Sequence, residues 1–375
     1  MDKLVFQVPA EVKMLIFKRF VRPLMYIVVL LSYVWPLFIF SPILAAEQLD
    51  PLFSGSEIID LRLEAPFSLI DSERDKEKRY DGKLSYMDAQ GERIIIDANF
   101  EVRGNWRLVK ENCRHPQLWV DLKKNQTEGT LFENQNRLKL VVQCDRYDKY
   151  RDFLLKEQLA YELFAMFSDY NFSTRLFKVG YVEAGDADAG RTNLGFFIEH
   201  KSRLAKRLQF EKVKENSIFP TELNSLQSSL VSVFSFLIGS TDYSTIQGPV
   251  GDDCCHNLEL LKAGRRGLFA FPYDFDNTGF VDASYAAGPS PNIGTRSLKK
   301  RVYRGFCVHN DTLDQALSIA RDSQGAVEAA IANHPLLRDG TKKESLRFIS
   351  EFYEILENPK KVKKRLHDSC RNWND

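Results

Sequence analysis

The residues best suited to chemistry gather late in the chain. In "GLFAFPYDFDNTGF", Gly267 to Phe280, an apolar run ends in Asp274 and Asp276, one residue apart, and then in Asn-Thr-Gly. Two carboxylates so spaced at a strand end suit three roles: nucleophile and acid/base of a phosphatase, ligands for a hard cation beside a phosphate, or a plain turn. A phosphatase would use Asp274 as nucleophile and Asp276 as acid/base. That chemistry needs further strands to bring a Thr/Ser, a Lys and another acidic pair. Only the 99 residues after Asp276 remain to supply them, and these read as helical with no adjacent acidic pair.

The residues upstream suit phosphoryl transfer better. "STDYS", Ser240 to Ser244, places Asp242 at the end of an apolar helix, and "GDDCCHN", Gly251 to Asn257, places Asn257 at the start of a strand. Mg takes hard oxygen ligands, commonly a carboxylate and an Asn amide, while a further Asp orients or deprotonates the acceptor hydroxyl. A helix ending in Asp, an Asn opening a strand and a strand ending in Asp-Phe-Asp supply those parts in order. Each also has a plain reading: Asp242 and Asp274 as helix-end and turn residues, Asn257 as a turn bridge, His256 as a structural histidine.

The elements that would position them follow from periodicity. Gly91 to Gly104, Gln117 to Leu122 and Asn136 to Val142 read as short strands, Arg151 to Tyr170 as a helix, and Arg175 to Ala184 and Leu194 to His200 as two more strands. On that helix the expected stripe is Leu155, Leu159, Glu162 and Met166, which turns Glu162 toward the apolar side. Leu223 to Ser240 is a deeply buried helix, "NLELLKAGRRGLFAFPYDF" a strand pair, and Thr312 to Asn333 and Lys342 to Glu357 two closing helices. This predicts an α+β chain of two lobes: a loosely structured lead-in over 47–90, a β-rich lobe with one helix over 91–200, and a mainly helical lobe over 201–375.

Residues 1–46 differ in kind. Lys13, Lys18, Arg19 and Arg22 precede Pro23 to Ala46, a stretch without charge that ends in small Ala45 and Ala46, which reads as a signal peptide or an uncleaved anchor. The remainder is then exported, to the periplasm or facing the exterior, and touches membrane only through this segment if it is retained. Six cysteines, Cys113, Cys144, Cys254, Cys255, Cys307 and Cys370, agree with an oxidising compartment and disulfides rather than zinc, whose C-x-x-C spacing is missing. Adjacent Cys254 and Cys255 are expected to seek distant partners such as Cys307. With 52 basic and 51 acidic residues, a formal charge of +1 gives no footprint for nucleic acid.

At "FEVRGNWR", "NRLKLV", "LLKEQLAYELFAMFS", "LGFFIEH", "FLIGSTDYS", "HNLELL" and "FPYDFDNTGF" the chain resembles the CotH kinase family, atypical protein-kinase-like enzymes, from about Phe100 to Cys307. The resemblance implies a two-lobed kinase-like fold that binds ATP and Mg and phosphorylates a hydroxyl of an unknown exported or envelope protein. It assigns Asp242 as catalytic aspartate, Asn257 and Asp274 as Mg ligands with Asp276 in support, and Lys139 as the phosphate-binding lysine. Glu162 would pair with Lys139, with Glu157 as second choice; Glu199 would lie near adenine or ribose, and Arg103 would reach a phosphate. No G-x-G-x-x-G loop is present, and the long insertion between Asp242 and Asn257 carries Asp252 and Asp253. A catalytically silent envelope-assembly or binding protein on the same fold is the alternative.

Overall fold

Charged and apolar residues alternate along the first strands, and that pattern closes a barrel. The computed structural model describes residues 48–188, 190–291 and 293–373. After a short helix α1 (Pro51–Ser54) come β1 (Ile59–Ala65), α2 (Phe67–Glu73), β2 (Tyr80–Met87), β3 (Arg93–Arg103), β4 (Gln117–Leu122) and β5 (Arg137–Val142). Helix α3 (Asp148–Ala165) precedes β6 (Thr174–Glu183) and β7 (Arg191–Ile198). The seven strands close in the order β1-β2-β3-β4-β5-β7-β6, with β1 running parallel to β6 so that Ile59 meets Phe177. Inward-pointing Leu63, Leu84, Phe100, Val120, Leu138, Phe177 and Phe197 fill the interior.

The 47–90 segment is therefore not a loose lead-in: it supplies β1, α2 and β2. Asp60, Arg62 and Glu64 alternate with buried Leu61, Leu63 and Ala65, so half the strand faces solvent and its charge hides the strand signal.

The rest of the chain packs around a second apolar core. Here lie α4 (Lys201–Leu208), β8 (Glu211–Lys212), α5 (Ser225–Ile238), β9 (Leu258–Lys262), β10 (Leu268–Pro272), α6 (Asn310–Asp322), α7 (Gln324–Ala332), α8 (Asp339–Leu356) and α9 (Pro359–Arg365). The first closing helix of the sequence reading is thus two, broken at Ser323. Strands β10-β9-β8 form a small sheet, and Phe234, Phe236, Phe271, Phe280 and Phe352 are buried beside it. Helix α3 contributes Leu155, Leu159 and Phe164 to this second core. The architecture is mixed α+β, and Ala46–Asp375 forms one compact unit holding both cores.

Three disulfides join Cys113 to Cys144, Cys307 to Cys370, and Cys254 to its neighbour Cys255. The expectation that Cys254 or Cys255 reaches Cys307 is corrected. Cys307 is brought to Cys370 by backbone pairing, its N–H donating to Arg371 O at 2.9 Å while the Arg371 N–H donates to Gly305 O at 2.8 Å. The pairing agrees with an oxidising, exported setting. The expected signal or anchor segment, residues 1–46, lies outside the described residues. Among the described residues no helix is long and apolar enough to cross a membrane.

Candidate functional site

Local backbone chemistry explains why the acidic motifs meet. Helix α5 ends at Gly239, whose φ of +66° suits a left-handed cap and where an added Cβ would stand 3.0 Å from Leu298 O. Past that cap the chain pairs with the stretch after β10: Gly279 N–H donates to Gly239 O and Phe280 N–H to Ile238 O, at 3.2 and 2.9 Å. Asp242 is thereby laid beside Asp274 to Asn277. Asp274 and Asn257 both adopt positive φ, +61° and +52°, which Asp and Asn tolerate better than other side-chain-bearing residues. Ser244 and His256 bridge, pinning the base of the insertion, so Asn257 enters β9 next to Asp242.

These residues line a cleft of about 440 Å³. The barrel contributes Arg103, Gly104, Trp106, Arg107 and Gln117, and the helical layer contributes Asp242, Cys254 to Glu259, Tyr273, Asp274, Asp276 and Asn277. Asp252 and Asp253 of the insertion lie on its rim.

Arg107 is the organising residue. Its Nη1 lies 3.1 Å from Glu157 Oε2, its Nη2 3.0 Å from Asp274 Oδ1, and its Nε 3.1 Å from Asp276 Oδ2. The Arg107 and Glu157 side chains are 7% and 1% exposed, so this is a buried network in which one guanidinium serves three carboxylates. Burial raises the Asp276 carboxyl well above the ordinary carboxylate range; Arg107 opposes the lift and Asp274 adds to it. Burial likewise raises Glu157, again against Arg107. The Tyr161 hydroxyl, one turn along α3 from Glu157, accepts the Asp274 backbone N–H at 2.9 Å.

Asp242 is held differently. His256 Nε2 approaches its Oδ1 at 2.9 Å, Asn277 Nδ2 donates to Oδ2 at 3.0 Å, and Asn257 Nδ2 and Ser290 Oγ donate more weakly, each at 3.4 Å. Burial would raise this carboxyl, but the bonds from His256 and Asn277 outweigh it and bring the pKa below the ordinary value. The Asp242 bond in turn raises His256. Asp242 thus stays ionised, with its lone pairs filled by protein donors.

On the barrel side Arg103, which lines the cleft, and Lys139, which is not among its lining residues, have no carboxylate partner among the described residues. Lys139 Nζ sits 4.0 Å from the Tyr273 ring centroid and 5.6 Å from that of Trp119, and Arg103 lies 5.9 Å from Trp119 with its Nε buried and unpartnered. Burial, with Arg103 adding repulsion, brings the Lys139 pKa down to about 8.

The remaining expected residues fall elsewhere. Glu162 is exposed on α3 and accepts from Gln158 at 2.7 Å, so it is not the partner of Lys139; the buried acid of that helix is Glu157, and it pairs with Arg107. Glu199 is buried against Arg207, which donates to both its oxygens at 3.0 and 2.9 Å, and it does not line the cleft. Sequence reasoning missed Arg107, Tyr161 and Asn277 and took His256 as structural. Signals existed in the second Arg of "RGNWR", in the i,i+4 pair Glu157/Tyr161 and in the Asn directly after Asp276.

The Mg expected from the family likeness is not matched by these side chains. Asp274 and Asp276 each give an oxygen to Arg107, Asp242 is filled by donors, and Asn257 turns its Nδ2 toward Asp242. Among the described residues no three His, Cys, Asp or Glu side chains converge as a metal-holding group. Neither a protein-family model nor a curated protein sequence matches this chain.

Proposed function

We propose that this chain is an exported, kinase-like protein whose cleft binds the phosphate chain of a nucleotide, ATP first, and that it works in the periplasm or at the outer face of the membrane on an envelope protein. The observation that carries the reading is Arg103, a cation without a carboxylate partner that lines a cleft bearing Asp242 and Asp274, backed by Lys139, which is likewise unpaired and packs on the ring of cleft-lining Tyr273. Cations held by aromatic faces and left unpaired are ready for an anion, and Arg and Lys are the usual binders of phosphate. The fold class and the three disulfides are compatible with this reading.

A second reading, transfer of the ATP γ-phosphate to a protein hydroxyl, rests on the shared wall of Asp242, Asn257 and Asp274. Against it, Asp242 is filled by protein donors and Asp274 gives one oxygen to Arg107, so binding without transfer is the form the geometry favours.

Calorimetric titration of the purified protein with ATP, in parallel with Lys139→Gln and Arg103→Gln, tests the proposal. Saturable binding that weakens at least about tenfold in each variant supports it, a loss equal to one charge-assisted contact. A folded wild type that binds no ATP overturns it. Movement of labelled γ-phosphate onto envelope proteins would establish the second reading.

A further inference from the structure

We infer that Arg107 is the built-in counter-ion of the Asp274/Asp276 pair, so that the cleft takes its phosphate-bearing ligand without a divalent cation. The ligand half of this inference rests on the phosphate-binding reading above; the counter-ion half stands on geometry alone.

A divalent ion between Asp274 and Asp276 would need an oxygen from each at roughly 2 Å. Both carboxylates instead spend an oxygen on one guanidinium, through Nη2 and Nε at 3.0 and 3.1 Å, while Nη1 is committed to Glu157 at 3.1 Å. The planar fork serves three acids at once, holding Glu157 through both Nη1 and Nη2 while Nη2 also reaches Asp274 and Nε reaches Asp276.

Arg107 has nowhere else to go. Its side chain is 7% exposed, and the adjacent Trp106 is fastened by its indole N–H, which donates to Tyr285 O at 2.5 Å. An ion at the remaining oxygens would therefore sit against a buried guanidinium that already neutralises these acids, and that repulsion weakens ion affinity by about two to three orders of magnitude relative to the same acids unpaired.

Charge balance extends the argument to the ligand. Arg107 offsets acids that would otherwise repel a phosphate, and cleft-lining Arg103 remains to receive it directly, with the Lys139 charge nearby on the Tyr273 ring. In kinase-like chemistry the metal shields the phosphate charge. Here the protein's own cations hold that role, so the ligand class is a metal-free polyphosphate.

The test uses Mn as the ion probe and ATP as the ligand probe, on the purified full-length chain. Water-proton relaxation titration with Mn alone should show no saturable site tighter than about 1 mM, the weak end of oxygen-donor sites. Arg107→Gln, which frees Asp274 and Asp276, should gain affinity at least about tenfold over wild type. A saturable Mn site tighter than about 1 mM in wild type overturns the inference, and this arm needs no variant to fold. In the ligand arm, ATP should bind with the same affinity within about twofold in EDTA and in Mg; a requirement for Mg overturns it. If ATP fails to bind under both conditions the phosphate-binding reading falls, and the Mn arm alone judges Arg107.

Discussion

Replacing Arg107 by methionine keeps length and removes the charge, leaving Glu157, Asp276 and the partly exposed Asp274 to face one another. Removing one partner of a buried ion pair strands the other in low dielectric, at a cost of about 3–5 kcal/mol. Unfolding entropy runs at about 2 cal/mol/K per residue, so for a unit the length of Ala46–Asp375 that loss lowers the melting temperature by roughly 5–7 °C. The sign of the pH dependence follows from the raised carboxyls. Glu157 and Asp276 already titrate above their unfolded values, and without Arg107 they rise further. A group raised on folding contributes stability that is present at low pH and lost as pH climbs through its folded pKa. The variant thus loses stability steadily as pH climbs through the neutral range and recovers toward about pH 5 as the stranded acids take up protons. Calorimetric melts of wild type, Arg107→Met, Glu157→Gln and the double variant give the measurement, with a coupling of about 1–3 kcal/mol expected between the two sites. A single variant that melts within about 1 °C of wild type at the higher pH, with no recovery on acidification, would refute the idea that Arg107 neutralises buried charge.

Two further outcomes can be measured directly. Because the Lys139 pKa is brought down to about 8, ATP affinity should fall as pH rises from about 7 to about 9, approaching tenfold per pH unit above that value, and Lys139→Arg should flatten the profile. Calorimetry at both ends of the range decides it. The Cys307–Cys370 bridge closes 63 residues, so the Cys307→Ser/Cys370→Ser double variant should lose about 4 kcal/mol in urea melts, whereas opening the bridge between neighbours Cys254 and Cys255 releases almost no chain entropy and should leave the midpoint in place.

Local patterns announced those parts of the fold that local patterns make. The strand Gln117–Leu122 has the same bounds in sequence and structure, and α5 is legible from an apolar run that ends at a capping Gly239. The barrel's first two strands were hidden because their outward positions carry the charges Asp60, Arg62, Glu64, Asp81 and Lys83. The acid on α3 was assigned to the wrong face. The predicted stripe through Leu155, Leu159 and Glu162 is narrower than the buried surface, which covers almost the whole helix from Leu154 to Phe164 and leaves Glu162 outside. Arg107 was illegible for another reason: it lies in a short turn-like segment after β3, and only the return of the chain 167 residues later supplies its Asp274 partner. A long-range charge pair has no period, so no periodicity reports it.

The closure of the barrel carries a consequence for how such a chain is made. Strand β1 finds one neighbour at once in β2, but its other flank is sealed only by β6, from the far side of the barrel sequence. If the chain crosses a membrane in an extended state with its N-terminus leading, β1 must wait with one row of backbone groups open until residues up to Glu183 have followed. During that interval the alternating Asp60, Arg62 and Glu64 serve as sentries, since charged side chains on an open edge discourage pairing with a neighbouring chain. The same charges that disguised the strand in the sequence would thus protect it during such a crossing, and neutralising them should show as lost yield of folded protein before it shows as lost stability.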